Sequence, residues 1–235
     1  LAKSIAEAMG RKFAKISVGG VNDPAEIIGH RRTYMGANPG RIINAIKKCG
    51  SGNPVFLIDE VDKMTKDIKG DPASSLLEVL DPEQNNKFYD NYVEEPYDLS
   101  RIMFILTANY VEQIPEELKD RLELVKLTSY TEYEKLFIAK EHLIKLATYE
   151  YGLNDGSIKF SDEVILEIIR KHTKEAGVRE LERVINKIVR KYVKAMLEDG
   201  KDSLNVRVTE KKLEEFLGKP KYEDNPVLTS DVPGI

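Results

Sequence analysis

Tryptophan is absent from this sequence, and cysteine occurs once, at Cys49. A lone cysteine excludes an intrachain disulfide and fits a reducing compartment. Histidine is scarce: His30, His142 and His172 have no metal-ligand spacing among themselves or with Cys49. Long hydrophobic runs are missing. The longest, Ile102–Leu106, falls far short of the ~20 residues a membrane span needs. Nor is there an excess of positive charge. Lys plus Arg number 36 against 40 Asp plus Glu, for a net charge of −4, which argues against a nucleic-acid-binding face. These residues contain no signal peptide, internal repeat or low-complexity tract.

What is present is a chain of 235 residues, 41% hydrophobic and 32% charged, which supports a sizeable core under a charged surface and excludes wholesale disorder. The length fits one or two domains. The first half alternates helix-like and strand-like stretches. Leu1, Ala2, Ile5, Ala6 and Met9 recur at helical spacing, with Gly10 as a stop signal. Residues 13–18 alternate as a strand. Ile42, Ile43, Ala45, Ile46 and Cys49 share one face of a helix over 41–49. Val55-Phe56-Leu57-Ile58, Ile102–Leu106 and residues 122–127 read as strands buried on both faces of a parallel sheet. Asp71-Pro72 opens a further helix as N-cap and first helical residue. This rhythm predicts an α/β layer with a mostly parallel sheet.

The second half is helical. Thr131 and Glu134 form a capping box before a helix running to about Tyr151. Ser161 caps a helix with Val164, Ile165, Ile168 and Ile169 inward. Gly177 breaks the pattern before a long helix over about 178–198, striped by Leu181, Val184, Ile185, Ile188, Val189, Tyr192 and Met196. A short strand over 205–208 and a Thr209-capped helix ending near Gly218 complete it. Domain limits are expected at 1–128 (α/β), 129–218 (small helical) and 219–235 (a proline-bearing linker).

Five constellations carry possible chemistry. Asp59 and Glu60 emerge at the C-terminal end of a buried strand, where ligands sit in open α/β sheets. The first carboxylate could hold Mg²⁺ through water, the second orient an attacking water. A strand followed by an acidic helix cap would look the same. Thr107-Ala108-Asn109 puts an amide at the next strand exit, where a γ-phosphate could be touched, although Asn is ordinary in turns. Arg121 precedes the 122–127 stretch and could reach a neighbouring subunit, or be simply solvated. Arg179 falls in the first turn of a helix, where the dipole disfavours a cation; it either meets a ligand phosphate or pairs with Glu175 or Glu182. Gly29 to Gly40 is a long loop carrying Tyr34 and Met35 beside Gly36, which could grip an extended polypeptide or fold back onto the core.

Taken together, IDEVDKM, GDPASSLLEVLDPEQN, LTAN, DRLE, YTEYEKLFIAKEHL and EAGVRELER, in this order and spacing, resemble the AAA+ ATPase module of the Lon family of ATP-dependent proteases, over about residues 1–222. The resemblance implies an ATP-driven homohexameric motor that unfolds proteins and threads them into a proteolytic chamber. It matches Asp59 and Glu60 to the Walker B pair, Asn109 to the first sensor, Arg121 to the arginine finger and Arg179 to the second sensor. Tyr34 and Met35 match the pore loop that pulls on substrate. A second pore loop is expected over 67–69, and Tyr130 and Ile138 are expected at the adenine. ATP and Mg²⁺ are the implied cofactors, unfolded or misfolded proteins the implied substrates. A bacterial cytosol is the expected compartment, with a mitochondrial matrix as the alternative.

Two features depart from the family pattern. The phosphate-binding G-x-x-x-x-G-K-[ST] is absent from these residues, and no G-x-S-x-G or other serine nucleophile motif occurs. The expectation is an AAA+ large subdomain lacking its first strand and phosphate loop, with the natural protein extending upstream and a peptidase domain following. The residues alone are then expected to bind ATP poorly. Two other readings stay open. One is a nucleic-acid-acting AAA+ ATPase of clamp-loader or branch-migration type, which the acidic balance disfavours. The other is a non-hydrolysing assembly or substrate-binding module, which the complete polar set disfavours.

Overall fold

The computed structural model describes residues 1–66, 68, 70–154, 156–198 and 206–222. The chain divides into two compact units, Leu1–Val125 and Lys126–Ile235. Among the described residues no helix is long and apolar enough to cross a membrane.

The first unit opens with helix α1 (Ala2–Ala8), which ends at Gly10 (φ +62°), and strand β1 (Phe13–Ser17). A short helix α2 (Ala25–Ile28) and helix α3 (Arg41–Cys49) lead to β2 (Val55–Asp59). Helix α4 (Pro72–Leu80) is capped by Asp71, whose carboxylate accepts the Ala73 N–H at 3.0 Å. A hairpin of β3 (Phe88–Tyr89) and β4 (Pro96–Tyr97) precedes β5 (Met103–Leu106) and the single-turn helix α5 (Glu116–Lys119). The main sheet is parallel, in the order β1-β2-β5. Its middle strand is the apolar run: Val55, Phe56 and Ile58 are fully buried. A strand hydrogen-bonded on both edges and covered on both faces has no water to meet, which is why no polar alternation appears before Asp59. Phe56 packs on Phe104 with ring centroids 5.6 Å apart, and Ile16, Ile42, Leu76 and Leu118 close the core around them. The register pairs Ser17 with Asp59 and Ile58 with Leu106. All three strands therefore reach the same C-terminal edge at one level.

The stretch expected as a third buried strand departs from that expectation. Residues 122–127 form no strand, and Leu124, Val125 and Leu127 are exposed at 53%, 75% and 74%. A strand persists only where a neighbour supplies its hydrogen bonds. The outer edge of β5 has no partner strand among the described residues. The hairpin was not read from sequence either, because strands of two residues carry no periodicity.

The second unit begins with α6 (Glu132–Ile138), runs through a π-helical turn at Ala139–Leu143 and continues as α7 (Ile144–Glu150), so the one helix expected to Tyr151 contains a bulge. Then come β6 (Ile158–Phe160), α8 (Asp162–His172), α9 (Arg179–Glu198), β7 (Val206–Val208), which pairs in parallel with β6, and α10 (Glu210–Leu217). The expected stripe is the core: Leu181, Val184, Ile185, Ile188, Val189 and Tyr192 are buried against Val164, Ile165, Ile168 and Ile169. Arg170 grips Glu132 through two hydrogen bonds of 2.6 and 2.9 Å, fastening α8 to the start of α6; the guanidinium holds the Glu132 carboxyl below its ordinary value. Burial pushes the His172 imidazole down. Of the expected linker, only 219–222 is described. There the Lys221 and Tyr222 N–H groups both donate to Lys171 O at 3.0 Å.

The capping box at Thr131 is complete. The Glu134 N–H donates to Thr131 Oγ1 at 3.3 Å, and the Thr131 N–H donates to Glu134 Oε2 at 2.7 Å. Thr131→Ala is therefore expected to destabilise this unit by about 1 kcal/mol. Chemical denaturation followed by a probe in the second unit checks it, and an unchanged midpoint would refute the assignment.

Candidate functional site

At the C-terminal edge of the parallel sheet the chain leaves β2 through Asp59 and turns sharply at Glu60. Glu60 adopts φ +63°, ψ +46°, a left-handed conformation that a non-glycine residue takes only under constraint. The constraint is visible on both sides. The exit of β1 is tied to the turn by Val18 N–H to Asp59 O at 2.9 Å and Gly20 N–H to Lys63 O at 3.0 Å. The exit of β5 is tied to it by Val61 N–H to Thr107 O at 3.0 Å. The acidic pair thus stands on a turn clamped by the strands either side.

Thr107 joins the two carboxylate residues. Its hydroxyl donates to Asp59 Oδ1 and accepts the Glu60 N–H at 3.3 Å. Lys15, on β1, ion-pairs with Asp59 Oδ2 at 2.7 Å. The Glu60 carboxylate meets the Ser17 hydroxyl at 3.5 Å on one oxygen and the Lys63 ammonium on the other. That hydrogen bond and the carboxylate's charge hold the Lys63 ammonium above its ordinary value. Gly19 gives the carboxylate its space, because a Cβ there would lie 2.5 Å from Glu60 Oε2.

Asn109 is placed by a residue that sequence reading did not single out. Asp62 is buried, and its Oδ2 accepts the Asn109 and Tyr110 N–H groups at 3.1 and 3.2 Å. The Asn109 side chain is left exposed, at the same strand-exit edge as Asp59 and Glu60. The roles of Thr107 and Asp62 follow from parallel register: Ile58 opposes Leu106, so the residues just beyond them, 59 and 107, come level. Register is a tertiary property, and no local motif announced it.

Arg121 lies apart from this cluster. Its guanidinium, half exposed, sits 3.4 Å from Asp81, at the end of α4. The Glu83 N–H, the Gln84 amide and Arg121 together hold the Asp81 carboxyl below its ordinary value. Tyr34 and Met35 project from the 29–40 loop, with Tyr34 64% exposed and Met35 fully so; the loop does not fold back onto the core. Residues 67 and 69 lie outside the described residues, and Ile68 between them is fully exposed.

Arg179, Tyr130 and Ile138 belong to the second unit. Arg179 is exposed and has no ion pair among the described residues. Glu175, a candidate partner, instead accepts the Leu181 N–H at 2.8 Å and caps α9. Tyr130 donates its N–H to Ala176 O at 3.1 Å, which brings the starts of α6 and α9 together. Ile138 is half-buried against the helical core.

A hydrated divalent cation suits the first of these sites. Among the described residues no cluster of three or more His, Cys, Asp or Glu could cage a metal. Asp59 instead offers one partly exposed carboxylate at the sheet edge, from which the Lys15 ammonium would have to withdraw for the cation's water shell to approach. That is the donor set of Mg²⁺, which keeps most of its waters and takes its remaining ligands from phosphates.

Comparison with known proteins gives matches over nearly the whole chain. Residues 1–130 match the model of the ATPase family associated with various cellular activities (AAA), and residues 149–205 match that of the Lon protease AAA+ ATPase lid domain. Over the full chain, the sequence is 54% identical to the Lon protease of Mycoplasma genitalium and 52% to Lon protease 1 of Bacillus subtilis, covering 30% of each. It is 55% identical to the Lon protease of Dictyoglomus thermophilum over 94% of the chain and 28% of that protein. The chain thus spans under a third of the length of these relatives.

Proposed function

The chain belongs to the AAA ATPase family and matches the AAA+ module of Lon, and on that premise we propose that it hydrolyses ATP to drive unfolding and translocation of proteins in an ATP-dependent protease. The observation that carries the proposal is the clamped turn. Asp59, Glu60, Thr107 and Asn109 converge at the C-terminal edge of a parallel sheet, where an α/β fold presents ligands to its residues. Asp59 would hold Mg²⁺ through water, and the ion would supply charge neutralisation to the phosphates. Glu60 accepts a hydrogen bond from the attacking water and so aligns it. Lys63 holds one of its oxygens, and the other, 3.5 Å from the Ser17 hydroxyl, is the one that takes this hydrogen bond. Asn109, held by its backbone on Asp62, presents its amide to the γ-phosphate.

Arg121 serves the neighbouring subunit of a homohexamer, leaving Asp81 to neutralise charge on the transferring phosphoryl group. Arg179 contacts the phosphates from the helical domain, with Tyr130 and Ile138 beside the adenine. The division is into an α/β domain of 1–128, a helical domain of 129–218 and a linker. Tyr34 and Met35 grip unfolded or misfolded polypeptide without reading its sequence, because an aromatic ring and a flexible thioether contact any side chain. The compartment is the bacterial cytoplasm.

Mixing tests the shared site. Full-length Glu60→Gln and Arg121→Ala proteins are each expected to be inactive. Co-assembled in equal amounts, they should recover about a quarter of wild-type hydrolysis, since one seam in four pairs an intact Glu60 with an intact Arg121. No recovery in verified mixed assemblies would rule out an arginine acting across the seam.

A further inference from the structure

The loop that carries Tyr34 and Met35 has an unusual mount. Its two ends, Gly29 and Gly40, meet at a narrow neck, closed by His30 N–H to Asn38 O at 3.1 Å. A Cβ on Gly40 would lie 2.0 Å from Ile27 O, and one on Gly29 would lie 2.5 Å from Asp90 Oδ1. Asp90 sits in the turn between β3 and β4, fifty positions from Gly40, and is only 1% exposed. Its two oxygens face different ways. Oδ1 accepts the Tyr92 and Val93 N–H groups at 2.9 and 3.0 Å, folding its own turn. Oδ2 accepts the Gly40 N–H at 2.8 Å, across to the loop.

Four more hydrogen bonds and a cation–π contact repeat the join. Asn91 N–H donates to Ile28 O at 2.8 Å, and its side chain donates to Gly29 O at 3.2 Å. From the loop side, Arg32 donates to Tyr92 O and, at 2.8 Å, to Val93 O, while its guanidinium lies 5.5 Å from the centre of the Tyr92 ring. By contrast, among the described residues the hydrogen bonds of the tip stay within the loop: Tyr34 N–H to Arg31 O, Ala37 N–H to Tyr34 O and Asn38 Nδ2 to Gly36 O. An exposed tip on a buried, multiply bonded neck is the arrangement of a lever.

We infer that Asp90 is the positioning residue of this loop: its carboxylate, reinforced by Arg32, joins the 29–40 loop and the 90–94 turn into one body, so that Tyr34 and Met35 transmit load through the β3–β4 hairpin. The inference deepens the reading of Tyr34 and Met35 as the gripping pair and rests on it. The chemistry sets a specific demand. Two acceptor oxygens are needed in two directions, and an amide has one. Asp90→Asn keeps size and polarity but must turn an NH₂ towards either Gly40 N–H or the turn's own N–H groups, where two donors face each other.

The test uses the full-length protein and four variants. With Asp90→Asn and Arg32→Ala, the maximal rate of degrading a stably folded substrate is expected to fall about tenfold or more, while that for an already unfolded chain falls less than about threefold. Basal ATP hydrolysis and its KM should stay within about twofold of wild type. Tryptic cleavage after Arg31 should accelerate in Asp90→Asn, because the neck has lost its cross-tie. Arg32→Lys, which keeps the charge and one donor, should restore part of what Arg32→Ala loses.

Wild-type unfolding by both Asp90→Asn and Arg32→Ala overturns the inference. So does a loss of basal hydrolysis matching the loss of unfolding, which would make Asp90 a general fold-holding residue. Tyr34→Ala separates the two claims. If that variant unfolds substrates normally while Asp90→Asn still opens the neck to trypsin, the gripping role fails and the mount survives.

Discussion

Full-length Glu60→Gln is expected to bind ATP with near wild-type affinity and to hydrolyse it about a hundredfold or more slowly. The separation of binding from turnover follows from the geometry. The turn conformation is maintained by backbone groups: Glu60 N–H on Thr107, Val61 N–H on Thr107 O, and Gly20 N–H on Lys63 O. None depends on the carboxylate, so the amide leaves Asp59 and Asn109 where they are. What is lost is the anionic acceptor that aligns water. Nucleotide titration and steady-state hydrolysis measured on the same preparation check the prediction. Unchanged turnover would remove Glu60 from the mechanism.

Gly19→Ala is the complementary case, with the carboxylate intact but displaced, because the new Cβ would lie 2.5 Å from Glu60 Oε2. Hydrolysis should fall about tenfold without loss of the glutamate. The same variant should leave ATP affinity unchanged if the glycine serves only to make room.

Tyr34→Ala is expected to reduce degradation of a folded substrate about tenfold or more, with ATP hydrolysis lowered no more than about threefold. The tip is exposed, and its removal takes no side chain from the core, so the loss is of contact with substrate rather than of fold. A substrate with graded mechanical stability provides the readout. The deficit should grow with the stability of the substrate and nearly vanish for an unfolded chain. Degradation of the most stable substrate at wild-type rate would sink the gripping role.

Much of the fold was legible because burial writes itself into local pattern. The uninterrupted run before Asp59 announced a strand covered on both faces, and the sheet proved parallel with that strand in the middle. The helical stripe from Leu181 to Tyr192 is the core of the second unit, and Asp71 and Thr131 sit at helix N-caps as their side chains imply. The run over 122–127 misled for the same reason. Apolar residues report a capacity for burial, and only a neighbouring strand converts it into a ladder. The hairpin at Phe88–Tyr97 carries no periodic pattern: its order comes from one buried carboxylate, Asp90, which folds the turn and ties it to the 29–40 loop.

The candidate site divides along the same line. Asp59 and Glu60 stood out because two charges directly after a buried strand are a local anomaly. Thr107 entered only as the start of the Thr107-Ala108-Asn109 exit, without a role of its own, and Asp62 and Asp90 did not stand out, since a threonine or aspartate near a turn is ordinary until its distant partner is known. Each acts across more than forty positions: Thr107 on Asp59, Asp62 on Asn109, Asp90 on Gly40.

From its residues alone, then, this chain declared its element types, its strand–helix alternation, its acidic strand exit and its family likeness. All of these depend on spacing along one segment, where chain connectivity holds residues close. The level alignment of Asp59 with Thr107, the left-handed turn at Glu60, the parking of Arg121 on Asp81 and the cross-tie at Asp90 were decided only in three dimensions. They arise where strand register and buried hydrogen-bond demand bring remote segments together, and a buried polar group takes whichever partner the packed chain delivers to it.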